Sequence, residues 1–238
     1  IFLPLVIALV IPSFPGLTVK KRMHTAIGLL VIQFIILLPI MLAGDLPRIW
    51  KVLSESIGYF PKISMNAYNI WTFLVQGNLM QLSDEALFWG ITYRNWGLLM
   101  FFATGAASLL WIVNPLFKNI FRRKNFLVSQ RDVLITGSLI PLLFFFLNTQ
   151  MHERYSHSAL IFLAAYALMY NRIILLVVGS IAVFLNLEGA YRALELSNYH
   201  TLIFQPQFVA SLFLLVIVWL FADLYRVPKV SGKELQQD

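Results

Sequence analysis

The chain alternates long apolar runs with short polar intervals, and the runs set the architecture. Continuous apolar stretches occupy residues 23–43, 96–117, 133–147, 156–170, 173–187 and 208–224; a further one at residues 1–12 is broken by Pro12 and Pro15. Crossing a bilayer core as helix takes about 20 such residues. The runs are continuous rather than alternating, which argues against a β-barrel. The expectation is an all-α, polytopic transmembrane helical bundle of about six to seven spans, forming a single domain over residues 1–238. The run 173–187 is short for a crossing, and so is 156–170. This last run reaches full length only if its helix begins near Thr149.

Residues 44–94 follow a different pattern. Leu46, Ile49, Trp50, Leu53 and Ile57 recur at helical spacing, with Arg48, Lys51 and Glu55 off that stripe. This is an amphipathic interfacial helix, suited to the membrane surface, and Gly58 and Pro61 end it. A second helix, beginning near Asn66, would align Asn66, Asn69, Thr72 and Gln76 as a polar strip beside Trp71, Val75 and Leu79. Asn78, Gln81, Asp84 and Glu85 follow too soon for it to cross.

Composition agrees with a membrane protein: of 238 residues, 59% are hydrophobic and 12% charged, against roughly 45–50% and 25% in soluble domains. The net charge of +7 does not signal nucleic acid, because most Lys and Arg lie in short turns between apolar runs. There they set topology. Lys20, Lys21 and Arg22, and the cluster from Lys118 to Lys124, are expected in the cytoplasm, which makes 44–94 an extracytoplasmic loop region and 226–238 a cytoplasmic tail. Six basic residues (Arg48, Lys51, Lys62, Arg94, Arg154 and Arg192) then fall outside and the other 12 of the 18 inside. No cysteine is present, so disulfides, thiol catalysis and Cys-based metal sites are excluded. Ile1 opens within an apolar run without a basic leader, and the chain is expected to be the C-terminal portion of a longer protein.

The densest polar cluster is Met151-His152-Glu153-Arg154-Tyr155-Ser156-His157, set between two apolar runs. Ionisable groups at such a place are paired or used. On a helix from Thr149, Glu153 and His157 share one face and His152 and Tyr155 another. A helix N-terminus attracts anions, Arg154 brings a planar fork suited to phosphate, and His152 can donate to phosphate or shuttle a proton. The plainer reading makes Glu153 and Arg154 hydrated anchors of a short span. Asn66, Tyr68, Asn69 and Trp71 suit a sugar, through amides for hydroxyls and aromatic faces for a pyranose ring, or serve simply as interfacial anchors. Arg94 reads as a snorkelling residue at a span start. His152 and His157 are five apart, not the four of a H-E-x-x-H zinc helix, and no metal site is expected.

These residues carry a resemblance. Met151-His152-Glu153-Arg154-Tyr155 resembles the MHERY signature of bacterial membrane glycosyltransferases of the GT-C superfamily, which are related to the mannosyltransferases of GPI-anchor assembly. Asn66-Ala67-Tyr68-Asn69-Ile70-Trp71 is similar to that family's NAYNxW segment, and the stretch from Gly90 to Gly97 looks like a third shared stretch. Ser158 departs from the Pro that relatives often carry. The resemblance implies transfer of a mannose-like hexose from a polyprenyl-phosphate sugar donor to a lipid or glycan acceptor, at the extracytoplasmic face of a bacterial plasma membrane, with no metal or other cofactor. It implies a carrier-phosphate site of His152, Glu153, Arg154 and Tyr155, and a sugar or carrier pocket involving Asn66, Tyr68, Asn69, Trp71 and Arg94. The catalytic base is expected upstream of residue 1. The competing expectations are a transporter or lipid flippase and a non-catalytic membrane subunit.

Overall fold

The computed structural model describes residues 19–55, 59–122 and 129–226. It is mainly helical: α1 (Val19–Leu42), α2 (Leu46–Glu55), α3 (Trp71–Leu74), α4 (Tyr93–Arg122), α5 (Gln130–Leu147), α6 (His157–Met169), α7 (Ile173–Tyr191) and α8 (Pro206–Tyr225). Three-residue-per-turn helices cover Glu153–Ser156 and Leu202–Phe204. Four short strands complete it. β1 (Ser64–Met65) pairs in parallel with β4 (Met151–His152), and β2 (Leu87–Phe88) forms a hairpin with β3 (Ile91–Thr92).

Helices α4 to α8 each cover one of the apolar runs, α4 and α7 extending beyond theirs, because only a helix satisfies its own backbone in hydrocarbon. Four of them are long and apolar enough to cross a membrane: Tyr93–Val113, Gln130–Leu147, Ile173–Tyr191 and Pro206–Tyr225. In α1 the apolar part, Leu30–Leu42, is shorter. At 13 residues, about 20 Å of helix, α6 is also short of the roughly 30 Å core. The described residues therefore supply four full-length spans where six to seven were expected. The interval at residues 1–12 and the tail from 227 onward lie outside the described residues.

The core lies where α5 to α8 meet. Leu139, Leu143 and Phe145 of α5, Leu163 of α6, Leu175 and Ala182 of α7, and Val209, Phe213 and Leu220 of α8 are all fully or almost fully buried. Small residues, Ala159, Ala167, Ala182 and Ala210, sit at these contacts and let the helices approach closely, as membrane packing requires. The outward faces carry exposed Leu110, Ile161, Ile174, Phe184 and Leu215, the surface a bilayer would cover. On α4, Gly97 lies against the end of α5: a Cβ there would come within 2.9 Å of the Leu147 carbonyl oxygen and 3.1 Å of the Asn148 Cα. Glycine therefore sets how closely α4 seats on the turn that follows α5.

The interval 59–92 contains no helix longer than four residues, in keeping with a segment that does not cross. It differs from the expected second helix. Asn66 has a positive φ of 63°, Ser64 and Met65 are strand, and helix is confined to Trp71–Leu74. The polar residues Asn66, Asn69, Thr72 and Gln76 consequently do not form one strip.

One end of the bundle gathers residues 59–92, the turn 148–156 and the loop 192–205. The other is closed by a buried carboxylate, Asp223. The Arg172 guanidinium donates to both of its oxygens at 2.9 and 3.2 Å, and the Tyr166 hydroxyl donates at 2.8 Å. Arg131 also reaches the Asp223 backbone carbonyl, so α5, α6, the α6–α7 turn and α8 share one knot. Replacing Asp223 by Ala strands the arginine and the phenol, and should cost about 3 kcal/mol. A thermal unfolding midpoint in detergent that stayed at the native value would contradict this knot.

Candidate functional site

The site is assembled by backbone pairing between two distant segments. Ser64 and Met65 align with Met151 and His152, and Asn66 bridges His152. Gln150, at a positive φ of 62°, directs its N–H to the carbonyls of Lys62 and Ile63. These bonds occupy the backbone that the expected helix from Thr149 would need. The Met151–Ser156 stretch is therefore strand and then a tight turn, and α6 starts only at His157. Glu153 and His157 do not share a helical face.

Beneath this pairing lies Asp84, fully buried. Its Oδ2 accepts from the Thr149 hydroxyl at 2.9 Å, the Gln150 amide at 2.7 Å and Arg94 Nε at 3.1 Å, while Oδ1 accepts from Arg94 Nη2 at 3.2 Å. Arg94 is thus a bracket to Asp84 rather than a snorkelling anchor. The forked geometry of guanidinium and carboxylate is the strongest form of such a pair.

The His152–Tyr155 stretch splits in two. Glu153 turns inward and is only 3% exposed. Its Oε1 accepts from the Tyr191 hydroxyl at 2.5 Å, and its backbone carbonyl accepts from the Asn186 amide at 3.2 Å. His152, half-buried, places Nδ1 3.9 Å from Glu153 Oε2 and meets the rings of Phe60 and Tyr155 edge-on. Arg154 and Tyr155 are exposed, and the Arg154 guanidinium reaches the Tyr191 hydroxyl. His157, exposed at the start of α6, points Nδ1 at the Arg154 carbonyl, 2.6 Å away.

The Asn66–Trp71 stretch divides in the same way. Asn69 is fully buried, and its amide is spent on the fold: Nδ2 donates to the carbonyls of Phe145 and Asn148, and Oδ1 accepts from the Trp71 N–H. Trp71 is also fully buried, edge-on to Tyr93, and its indole N–H has no partner among the described residues. Tyr68 donates its backbone N–H to Asn186 Oδ1 at 2.7 Å. Its ring lies against Gly189, where a Cβ would come within 2.8 Å of it. Burial pushes the Tyr68 phenol above its ordinary pKa, and Arg192 partly offsets this. Asn66 and Tyr68, but not Asn69, Trp71, Arg94 or His152–Tyr155, line a cleft of about 600 Å³.

Four residues that the sequence reading did not place in the candidate site organise these groups: Asp84, Asn186, Glu188 and Tyr191. Helix α7 runs past the expected end of its apolar stretch to Tyr191 because its polar residues are satisfied. Glu188, 4% exposed, accepts from the Leu194 N–H at 2.9 Å and from the Tyr199 hydroxyl. The usable signal was burial pressure: a carboxylate and an amide within one turn of an apolar run must find partners. Among the described residues no three His, Asp or Glu side chains gather closely enough to hold a metal. In comparisons with known proteins, the chain matches no family model, no curated protein and no solved structure.

Two outcomes test this framework. Replacing Asp84 by Ala removes the acceptor of four hydrogen bonds and leaves Arg94 only its 3.4 Å contact with Glu85, which should cost about 3 kcal/mol and open residues 148–156 to limited proteolysis. Replacing Thr149 by Val removes one bond and should cost about 1 kcal/mol. Equal, small effects of the two in thermal unfolding would rule out Asp84 as the hub.

Proposed function

We propose that this chain is a membrane glycosyltransferase, or the carrier-binding portion of one, that moves a mannose-like hexose from a polyprenyl-phosphate donor to a lipid or glycan acceptor. Arg154 grips the carrier phosphate. Tyr155, His152 and His157 border that grip, and Glu153, held from behind by Tyr191 and Asn186, fixes the turn that presents Arg154. The observation that carries this reading is the split of the motif: Glu153 is buried and pinned, while Arg154 stands exposed where the bundle ends. A guanidinium so presented keeps donors for a bidentate phosphate contact. Its neighbour Tyr155, 41% exposed, offers an amphipathic ring suited to the level of lipid headgroups.

The motif end is the extracytoplasmic one in this proposal. Arg131, Arg172 and Arg226 gather around Asp223 at the opposite end, and basic residues favour the cytoplasm. A transporter relay would hold its ionisable groups near the bilayer midplane. Glu153, Arg154 and His157 stand beyond the last turn of α5 and at the first of α6, which favours surface chemistry on a lipid-borne substrate.

In the full-length protein, Arg154→Ala should reduce hexose transfer from a polyprenyl-phosphate sugar at least about 100-fold, the equivalent of losing about 3 kcal/mol of charge-assisted binding. Arg154→Lys should recover only part of it, since a point charge lacks the fork. Turnover by Arg154→Ala at the native rate, with unchanged thermal stability, would sink the assignment.

A further inference from the structure

The cleft beside the motif has a lining unlike that of the motif itself. Its lining residues include the amide-bearing Asn66, Gln76, Asn78 and Gln207 and the aromatic Tyr68 and Phe73. No Lys, Arg, His, Asp or Glu lines it. Its volume of about 600 Å³ lies within the range of about 300–1,000 Å³ typical of small-molecule sites. Asn78 spends its side-chain oxygen on the Met80 N–H, and Gln207 donates to the Thr72 carbonyl at 3.4 Å. The amides of Asn66 and Gln76 have no hydrogen-bond partner among the described residues. The fold therefore leaves two amides, each both donor and acceptor, at a cavity walled partly by aromatic carbon.

We infer that this cleft binds an uncharged carbohydrate, the sugar of the acceptor, through the Asn66 and Gln76 amides and the faces of Tyr68 and Phe73. Amides serve hydroxyls, which donate and accept equally, whereas a phosphate or carboxylate would find no cation in this lining. Assignment to the acceptor rests on the function proposed above. The donor's sugar is joined to the phosphate and so lies at Arg154, and none of His152 to His157 lines the cleft. The two sites are nonetheless adjacent, because Asn66 on the cleft wall bridges His152 through its backbone. One segment thus sets the separation between an anionic donor site and a neutral acceptor site.

The test uses full-length protein in nanodiscs and two variants. Asn66→Gly removes the amide while keeping the left-handed backbone that Asn66 adopts (φ 63°), and Gln76→Leu removes the other amide at similar size. Ligand-observed NMR with mannotriose and maltotriose should show saturable binding of at least one neutral trisaccharide. The double variant should weaken it about tenfold or more, with an unchanged unfolding midpoint, and trigalacturonate should not compete. In transfer assays the double variant should raise the acceptor KM about tenfold and leave the donor KM unchanged. Failure of both neutral sugars to bind, equal binding by the double variant, or competition by trigalacturonate would overturn the inference. So would a rise in donor KM instead of acceptor KM. Binding of neutral sugar by these residues in a protein whose transfer ignores Arg154→Ala would overturn the proposed function while leaving the carbohydrate site standing.

Discussion

The architecture of the motif end depends on one buried carboxylate. A charge in a low-dielectric interior is tolerated only when its lone pairs are met. Asp84 meets that condition by drawing in Arg94 from the first turn of α4 and Thr149 and Gln150 from the turn after α5. Satisfying one group therefore fixes three segments at once. The parallel pairing of Ser64–Met65 with Met151–His152 is too short to hold by itself; Asp84 supports it by holding Thr149 and Gln150 just before one strand and, through its N–H, the Pro61 carbonyl just before the other. Asn186 repeats the device from α7, accepting from Tyr68 and donating to Glu153.

The same arrangement sorts the polar residues by role. Within each of two neighbouring stretches some side chains face in and serve the fold, while the others are left to solvent or ligand. Asn69, Trp71 and Glu153 belong to the first group; Asn66, Arg154 and Tyr155 belong to the second. A residue's place in a motif does not decide this. The backbone does: positive φ at Asn66 and Gln150 reverses the side-chain alternation that an uninterrupted helix or strand would impose.

This explains what could be read from the sequence and what could not. The helices α4, α5, α7 and α8 follow from local hydrophobic period, and α2 from an amphipathic stripe, because each is determined by residues within a few turns. The non-crossing character of residues 59–92 follows from polarity alone. By contrast, the helix drawn from Asn66 and the extension of α6 back to Thr149 both assumed that local pattern governs. Their backbone groups bond instead to partners far away in the chain: Gln150 to Lys62 and Ile63, and Ile70 to Phe146. No periodicity records such pairs. Arg94 shows the limit most plainly, since position at a span start suggests an anchor and only its partner Asp84 reveals a bracket.

Because Gln207, at the start of α8, bonds to the Thr72 carbonyl and stands in the cleft wall with Pro206, the cleft cannot close until α8 has docked. A ribosome-bound chain that has threaded α1 to α7 still lacks one side of it. Completion of the cavity thus reports the docking of α8, and a ligand that needs all of its walls engages only molecules in which α8 is in place.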